Sequence, residues 1–250
     1  MVVGIIPARY ASTRFPGKPL ALIGNRTMIE CTYRQVAKSK VDRVVVATDH
    51  PAIAEEVKRF GGEVVMTSPH HPSGTDRCCE ALSLLDEPFD FVINVQGDEP
   101  FIRPEQINQL IHLLTQETQI ATLVTPIREV EELKNPHVVK VVMNCFQEAL
   151  YFSRSPIPHL RGVPIEEWLS YYAYWKHLGI YAYRSDVLNK ITRWETSCLE
   201  KVEALEQLRW LENGVRIKID ITPYTSIGID TPEDLLRVKQ LYSSEDQISY

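Results

Sequence analysis

Residues 91–100, FVINVQGDEP, limit the fold more than any other stretch of this chain. The segment begins as an apolar run rich in β-branched residues and ends abruptly in Gln96, Gly97, Asp98 and Glu99. Such a run reads as a buried strand at the centre of a parallel sheet. Gly97 breaks it, and Pro100 has no N–H with which pairing could continue. Asp98 therefore stands just past the carboxyl end of a central strand, where open α/β sheets bind ligands. A lone aspartate there also suits a turn or a helix cap. Glu99 beside it shifts the balance, because an unpaired buried carboxylate is costly and two crowd one strand tip. A cation is their natural companion. Mg²⁺ takes one or two carboxylates together with substrate phosphates.

The rest of the first half agrees with a parallel sheet. Strands are expected at 2–6 (VVGII), 43–47 (RVVVA), 63–66 and 121–125. Helical stripes fall between them, among them Ile29, Tyr33, Val36 and Ala37, then Ile53, Val57 and Phe60. Cys78, Ala81, Leu82 and Leu85 make a third stripe, and Ile107, Leu110, Ile111 and Leu114 a fourth. This alternation predicts a mostly parallel, Rossmann-like α/β sheet with right-handed crossovers. Asp49, before Pro51, reads as a helix cap.

Past residue 130 the rhythm changes. Residues 138–143 and 149–152 read as a hairpin. FSRSPIPHLRGVP is too rich in proline to be regular, and an aromatic stretch (Trp168, Tyr171, Tyr172, Tyr174, Trp175) leads to a strand, HLGIYAYR. Residues 131–199 are thus expected to be an inserted β-rich segment serving as a substrate lid and a dimer contact. The core, 1–130 and 200–250, resumes with a helix near 200–213, Gly214 as its C-cap, and a strand at 215–221. IGIDT then sets Asp230 before a last helix opening at Thr231-Pro232-Glu233. Taken alone, Asp230 reads as the cap of that helix. A chain of 250 residues fits one such domain with its insertion.

The loop after the first strand, ARYASTRFPGKPL, carries Arg9, Arg14 and Lys18. At ~6 Å and an effective dielectric of 20, one such pair of cations opposes folding by roughly 3 kcal/mol. A solvated loop could hold them apart. Its position, however, is where a doubly wound fold places its phosphate site. Ser12 and Thr13 add hydroxyls, and Gly17 allows close backbone approach. Pro19 after Lys18 excludes a Walker loop, and no G-x-G-x-x-G is present. Further on, Ser73-Gly74-Thr75 reads as a helix start, which welcomes an anion. Arg77 in its first turn opposes the helix dipole and is expected to face a ligand. His70 and His71 lack a third metal ligand nearby and read as ordinary loop residues.

Net charge is −6, which gives no support to a nucleic-acid or anionic-membrane binder. No apolar run reaches the length of a membrane span or of a signal-peptide core. The five cysteines form no C-x-x-C pair and read as reduced, mostly buried thiols of a cytosolic protein. No zinc spacing is present.

RYASTRFPGKP, SGTDR, NVQGDEP, NPHVVKVV, YFSR, HLGIYAYR, EALEQLR and GIDTPEDL, in this order and spacing, resemble the CMP-Kdo synthetases, or 3-deoxy-manno-octulosonate cytidylyltransferases. The similarity covers nearly the whole chain. Each motif alone is weak; their ordered succession is specific. The resemblance implies a nucleotide-diphosphosugar-transferase-like fold, a cytoplasmic homodimer, and the reaction of CTP with Kdo to CMP-Kdo and pyrophosphate, with Mg²⁺, for lipopolysaccharide biosynthesis. It implies that Ala8, Arg9, Arg14 and Lys18 hold the triphosphate and that Ser73, Gly74 and Arg77 line the cytidine pocket. It gives Asp98 and Asp230 to the metal, overriding the cap reading of Asp230, and makes Lys18, Asp98 and Asp230 the catalytic set. Gln96, Arg154, His177, Tyr181, Glu206 and Gln207 would hold the sugar acid, with Gln96 and Asp98 also touching the nucleotide. Arg154 suits the sugar carboxylate as a bidentate partner. The rivals are a CMP-sialic acid synthetase-like or other sugar nucleotidyltransferase, a silent nucleotide-binding module, and a dehydrogenase, which the missing glycine fingerprint disfavours.

Overall fold

The computed structural model describes residues 1–11, 15–225, 228–229 and 231–243, with side chains to Val238. Two compact units are present: Met1–Asn108 with Ser226–Tyr250, and Gln109–Thr225.

In the first unit β1 (Val2–Ala8) leads through the basic loop to a two-stranded ribbon, β2 (Leu22–Ile23) and β3 (Arg26–Thr27). Then come α1 (Met28–Ala37), β4 (Arg43–Thr48), α2 (Pro51–Arg59), β5 (Val64–Met66), α3 (Gly74–Ser83) and β6 (Phe91–Asn94). β1 pairs in parallel with both β4 and β6, and β4 with β5, so the order is β6-β1-β4-β5. Val3, Ile5, Ile6, Val45, Val46, Val92 and Ile93 are fully buried. Burial on both faces explains why these strands read as unbroken apolar runs. Each such side chain contributes about 1.5–3 kcal/mol by leaving water.

Caps set the helix starts. Ser73 Oγ accepts the Asp76 N–H at 3.2 Å, as expected for α3. The cap of α2 is His50, whose Nδ1 accepts the Ala52 N–H at 3.2 Å, and not Asp49. Asp49 is drawn away by Arg77, whose guanidinium reaches its carboxylate at 3.0 Å. At the amino edge of the strands Arg43 gathers the carboxylates of Glu63, Asp86 and Glu87. Asp90 binds the terminal ammonium there, and Asp42 accepts the Val2 N–H.

α4 (Pro104–His112) leads the chain into the second unit. Its elements are β7 (Ile120–Pro126), α5 (Val130–Lys134), β8 (Lys140–Met143), β9 (Ala149–Ser153), α6 (Trp168–Tyr171), β10 (Trp175–Arg184), α7 (Ser185–Ile191), α8 (Cys198–Glu203), α9 (Gln207–Glu212) and β11 (Ile217–Ile221). β7 pairs antiparallel with β10 and parallel with β11. β8 pairs antiparallel with β10 and with β9, which makes the expected hairpin. Because β7 and β11 join this sheet, the unit takes in more chain than the segment 131–199. Trp168 and Tyr174 are buried and stacked at 5.8 Å, so core packing accounts for part of the aromatic stretch; Tyr171 and Tyr172 are exposed.

Two expectations are corrected here. The helix near 200–213 is broken: α8 stops at Glu203, Ala204 turns left-handed at φ 51°, and α9 starts at Gln207. Arg154 explains the break, since its guanidinium takes the carbonyls of Glu203 (2.7 Å) and Ala204 (3.2 Å). The cysteines are free but not mostly buried. Cys31 and Cys78 are buried, whereas Cys145, in the β8–β9 turn, and Cys198, opening α8, are exposed. Gly214 follows α9 at φ 76°, as its C-cap reading requires.

The chain ends in the first unit with α10 (Pro232–Ser243). Thr231 caps it: its Oγ accepts the Asp234 N–H at 3.2 Å, and Asp234 accepts the Thr231 N–H at 3.0 Å. Ile229, Leu235 and Val238 pack on Ile23, Met28 and Cys31.

Gly4, inside β1, faces α1 so closely that a Cβ would lie 2.8 Å from Val36 Cγ1. Val36 is stiff and fully buried, so it has no room to yield. Gly4→Ala is expected to destabilise the protein by about 1–3 kcal/mol. Adding Val36→Ala should recover part of that loss. Denaturant melts of the single and double variants measure both, and strict additivity would refute the contact.

Candidate active site

The carboxyl ends of β1 and β6 and the amino end of α3 enclose a cavity of about 190 Å³. Its closeness depends on glycine. A Cβ on Gly97 would stand 3.0 Å from the Pro7 carbonyl oxygen, and one on Gly74 would stand 3.3 Å from the Gln96 side chain and Pro7 Cγ. The basic loop is pinned by Gly17, which is left-handed at φ 69° and donates its N–H to the Tyr10 carbonyl at 3.0 Å. That turn delivers Lys18, whose Nζ meets Asp98 Oδ2 at 2.5 Å. Both side chains are largely sheltered, at 12% and 31% exposure, so water screens the pair only partly.

Ala8, Arg9, Lys18, Ser73, Gly74, Arg77, Gln96 and Asp98 all line this one cavity. Arg14 and Asp230 lie outside the described residues. Arg9 is exposed at the cavity mouth. Arg77 is only 3% exposed, and its guanidinium is held by Asp49 and by Thr67 Oγ at 2.6 Å. It therefore forms a charged wall whose positive charge is mostly spent on Asp49. Gln96 donates to Asn94 Oδ1 at 3.1 Å.

His71, which reads as an ordinary loop residue, also lines the cavity. Its Nε2 bonds the Glu80 carboxylate, which also accepts the Ser68 N–H. The His71 bond, then the Ser68 N–H, hold the Glu80 pKa below the usual carboxylate range. Nothing local in the sequence pairs a loop histidine with a glutamate on the next helix.

Among the described residues no group of three His, Cys, Asp or Glu could hold a metal. Asp98 nonetheless offers hard oxygen to one. Its carbonyl accepts the Ile229 N–H at 3.0 Å.

The second unit holds its own constellation. β10 slips against β7 between Leu178 and Tyr181. In a regular strand, residues four apart are ~13 Å apart. The slip instead brings the His177 and Tyr181 rings to 5.2 Å. Thr122 Oγ donates to the Ile180 carbonyl at 2.8 Å and so accepts from His177 Nε2 at 3.1 Å. The proton is thereby assigned to Nε2, which leaves the Nδ1 lone pair for another donor. Desolvation lowers the His177 pKa to about 3. It is thus neutral at pH 7 and a poor general base, in line with a binding role. The Tyr181 hydroxyl is buried without a partner among the described residues. Burial, with the nearby Glu206 charge second, raises its pKa well above the usual phenol value. Glu206 pairs with Arg209, and Gln207 is buried at the start of α9. Arg154 reaches the Ala204 carbonyl at 3.2 Å, two residues before Glu206.

A family model described as "Cytidylyltransferase" matches residues 3–218. The chain is 56% identical over 239 residues to the 3-deoxy-manno-octulosonate cytidylyltransferase of Cytophaga hutchinsonii, covering 95% of this chain and 96% of that protein. The chain belongs to the 3-deoxy-manno-octulosonate cytidylyltransferase family. A relative of the same description from Thermodesulfovibrio yellowstonii is 48% identical, over 94% of this chain and 95% of that one. Among solved structures, a CMP:2-keto-3-deoxy-manno-octonic acid synthetase complexed with CTP superposes with a TM-score of 0.90. It is 41% identical and covers 98% of this chain and 99% of its own. The 4-diphosphocytidyl-2C-methyl-D-erythritol synthase of Anaerococcus prevotii shares the fold at a TM-score of 0.62, with 16% identity and 97% and 98% coverage. The family's α/β fold is thus the one read from the strand–helix alternation.

In this family member, a neutral His177 makes stability depend on pH. The folded pKa, about 3, lies below the ordinary 6.5. The unfolded chain therefore binds the proton more tightly, and stability falls as pH drops from about 6.5 toward 3. His177→Gln should remove part of this acid sensitivity, up to a few kcal/mol. Melting midpoints between about pH 7 and pH 4 provide the check, and an unchanged acid slope would show that His177 titrates normally.

Proposed function

We propose that this chain transfers CMP from CTP to the anomeric hydroxyl of Kdo, giving CMP-Kdo and pyrophosphate, with Mg²⁺ held by Asp98 and Asp230. The observation that carries this reading is the Lys18–Asp98 pair, which sets a cation and a carboxylate in one cavity at the strand ends. Support also comes from relatives whose names give the same activity and from the 41% identical synthetase solved with CTP.

The donor set fits a hard divalent ion. Asp98 stands partly exposed in the cavity, and Ile229, the residue before Asp230, is bonded to it. When bound, Mg²⁺ would supply charge neutralisation and acidify a coordinated hydroxyl. The protein's own tasks are positioning and electrostatics. The sugar hydroxyl attacks the α-phosphorus, its proton goes to solvent, and the bond to the pyrophosphate oxygen breaks. Lys18 turns from Asp98 to the β- and γ-phosphates and neutralises the leaving pyrophosphate, a task that the family resemblance also gives to Arg9 and Arg14. Ser73 and Gly74 present the amino end of α3 to the nucleotide, against Arg77 and Gln96.

The sugar acid is read by the second unit. Three of the five N–H groups of Arg154 are used on the carbonyls of Pro136, Glu203 and Ala204. Two remain for the sugar carboxylate. His177 Nδ1 and the Tyr181 hydroxyl serve sugar hydroxyls, with Glu206 and Gln207 alongside. The enzyme acts as a cytoplasmic homodimer in this reading. Exposed Phe146, Leu150 and Val202, at 70%, 59% and 83%, suit a covered face, and no described helix is long and apolar enough to cross a membrane.

Pyrophosphate release across a grid of nucleoside triphosphates and sugar acids tests the assignment. CTP with Kdo and Mg²⁺ should stand out; equal or greater release with a sialic acid or a sugar phosphate would replace it with the rival transferase. Asp98→Asn should lower kcat by about 100-fold or more with the circular dichroism unchanged. Near-normal turnover would remove Asp98 from the metal site.

A further inference from the structure

Lys140 stands in β8 with no exposed surface, an unusual place for an ammonium. Burying such a charge costs several kcal/mol unless every donor is met. All three are met, by the carbonyls of Asn135 (3.0 Å), Val138 (2.7 Å) and Arg154 (2.5 Å). None is a carboxylate. A leucine or methionine would fill the same space at lower cost, so the donors serve to specify geometry.

What they specify is the setting of Arg154. Glu203 accepts the Arg154 N–H at 2.9 Å and the Ser153 hydroxyl at 2.6 Å, while Lys140 takes the Arg154 carbonyl. The backbone of Arg154 is thus clamped on both sides. Its guanidinium then bonds Pro136, which lies between Asn135 and Val138, the other two carbonyls that Lys140 holds. It also bonds Glu203 and Ala204, fixing the left-handed turn ahead of Glu206 and Gln207. Burial lowers the Lys140 pKa; the Glu203 charge opposes the shift and the Arg154 charge adds to it.

We propose that Lys140 is a positioning residue for the acceptor: it orients Arg154, and through it the Ala204 turn, toward the sugar acid. The proposal rests on the reading of Arg154 as the partner of the acceptor carboxylate. Lys140 itself touches no substrate.

The test is steady-state kinetics of the full-length enzyme with CTP and Kdo varied in turn, on Lys140→Met, Lys140→Gln, Arg154→Ala and Lys140→Met/Arg154→Ala. Lys140→Met should raise the KM for Kdo by about tenfold or more while that for CTP stays within about twofold. Lys140→Gln, which keeps donors, should recover part of the loss. The double variant should be no worse than Arg154→Ala, because both changes remove one device. Should Lys140→Met not fold, Glu203→Gln loosens the backbone of the same residue at its N–H side and should give the same KM split. If Arg154→Ala leaves the Kdo KM unchanged, the Arg154 assignment itself fails. If Arg154→Ala raises it but Lys140→Met and Glu203→Gln move both substrates equally, or the double variant is additive, Lys140 only supports the fold and the proposal is overturned.

Discussion

Lys18 and Asp98 are 80 residues apart in sequence and 2.5 Å apart in the fold. To meet, the basic loop must double back on β1, and the tip of β6 must lie against that of β1. Gly17 permits the first and Gly97 the second. A side chain at Gly97 would push against the Pro7 carbonyl and part the strand ends. The ion pair therefore depends on two backbone positions that carry no charge. In return it holds the loop over the cavity, and it balances a carboxylate that would otherwise pay for its partial burial.

The second unit solves a different problem. Its polar groups sit among aromatic rings, where desolvation decides protonation. His177 is kept neutral and Tyr181 protonated by burial. Geometry comes from the slip in β10, and charge from Arg154, whose guanidinium is held by three backbone carbonyls on two separate segments. The first unit sets paired charges around its cavity. The second presents hydrogen-bonding groups among aromatic rings, the arrangement that the proposed reading gives to a sugar acid.

Much of this was legible in the chain itself, and the limits have physical causes. β6 and the break after it could be read because the apolar run, Gly97 and Asp98 are contiguous. The start of α3 could be read because Ser73 caps it locally. Asp49 could not, since Arg77, which diverts it from capping, lies 28 residues on. The break at Ala204 escaped for the same reason. The heptapeptide around it has good helix propensity, and the group that bends it, Arg154, comes from 50 residues earlier. His71 was missed because its partner, Glu80, belongs to the next helix. The metal and sugar roles came from family resemblance and not from periodicity, which carries no information about ligands.

The parallel sheet of the first unit also sorts charge by strand polarity. At its amino edge Asp42, Glu63, Asp86, Glu87 and Asp90 surround one arginine and the chain terminus. At its carboxyl edge stand Arg9, Lys18 and Arg77, the last two paired with Asp98 and Asp49. A polyanion drifting toward a protein of net charge −6 thus meets stronger repulsion at the amino edge than at the carboxyl edge. For the triphosphate proposed above, a field graded in this way would favour approach by the carboxyl edge, and added salt would blunt that preference.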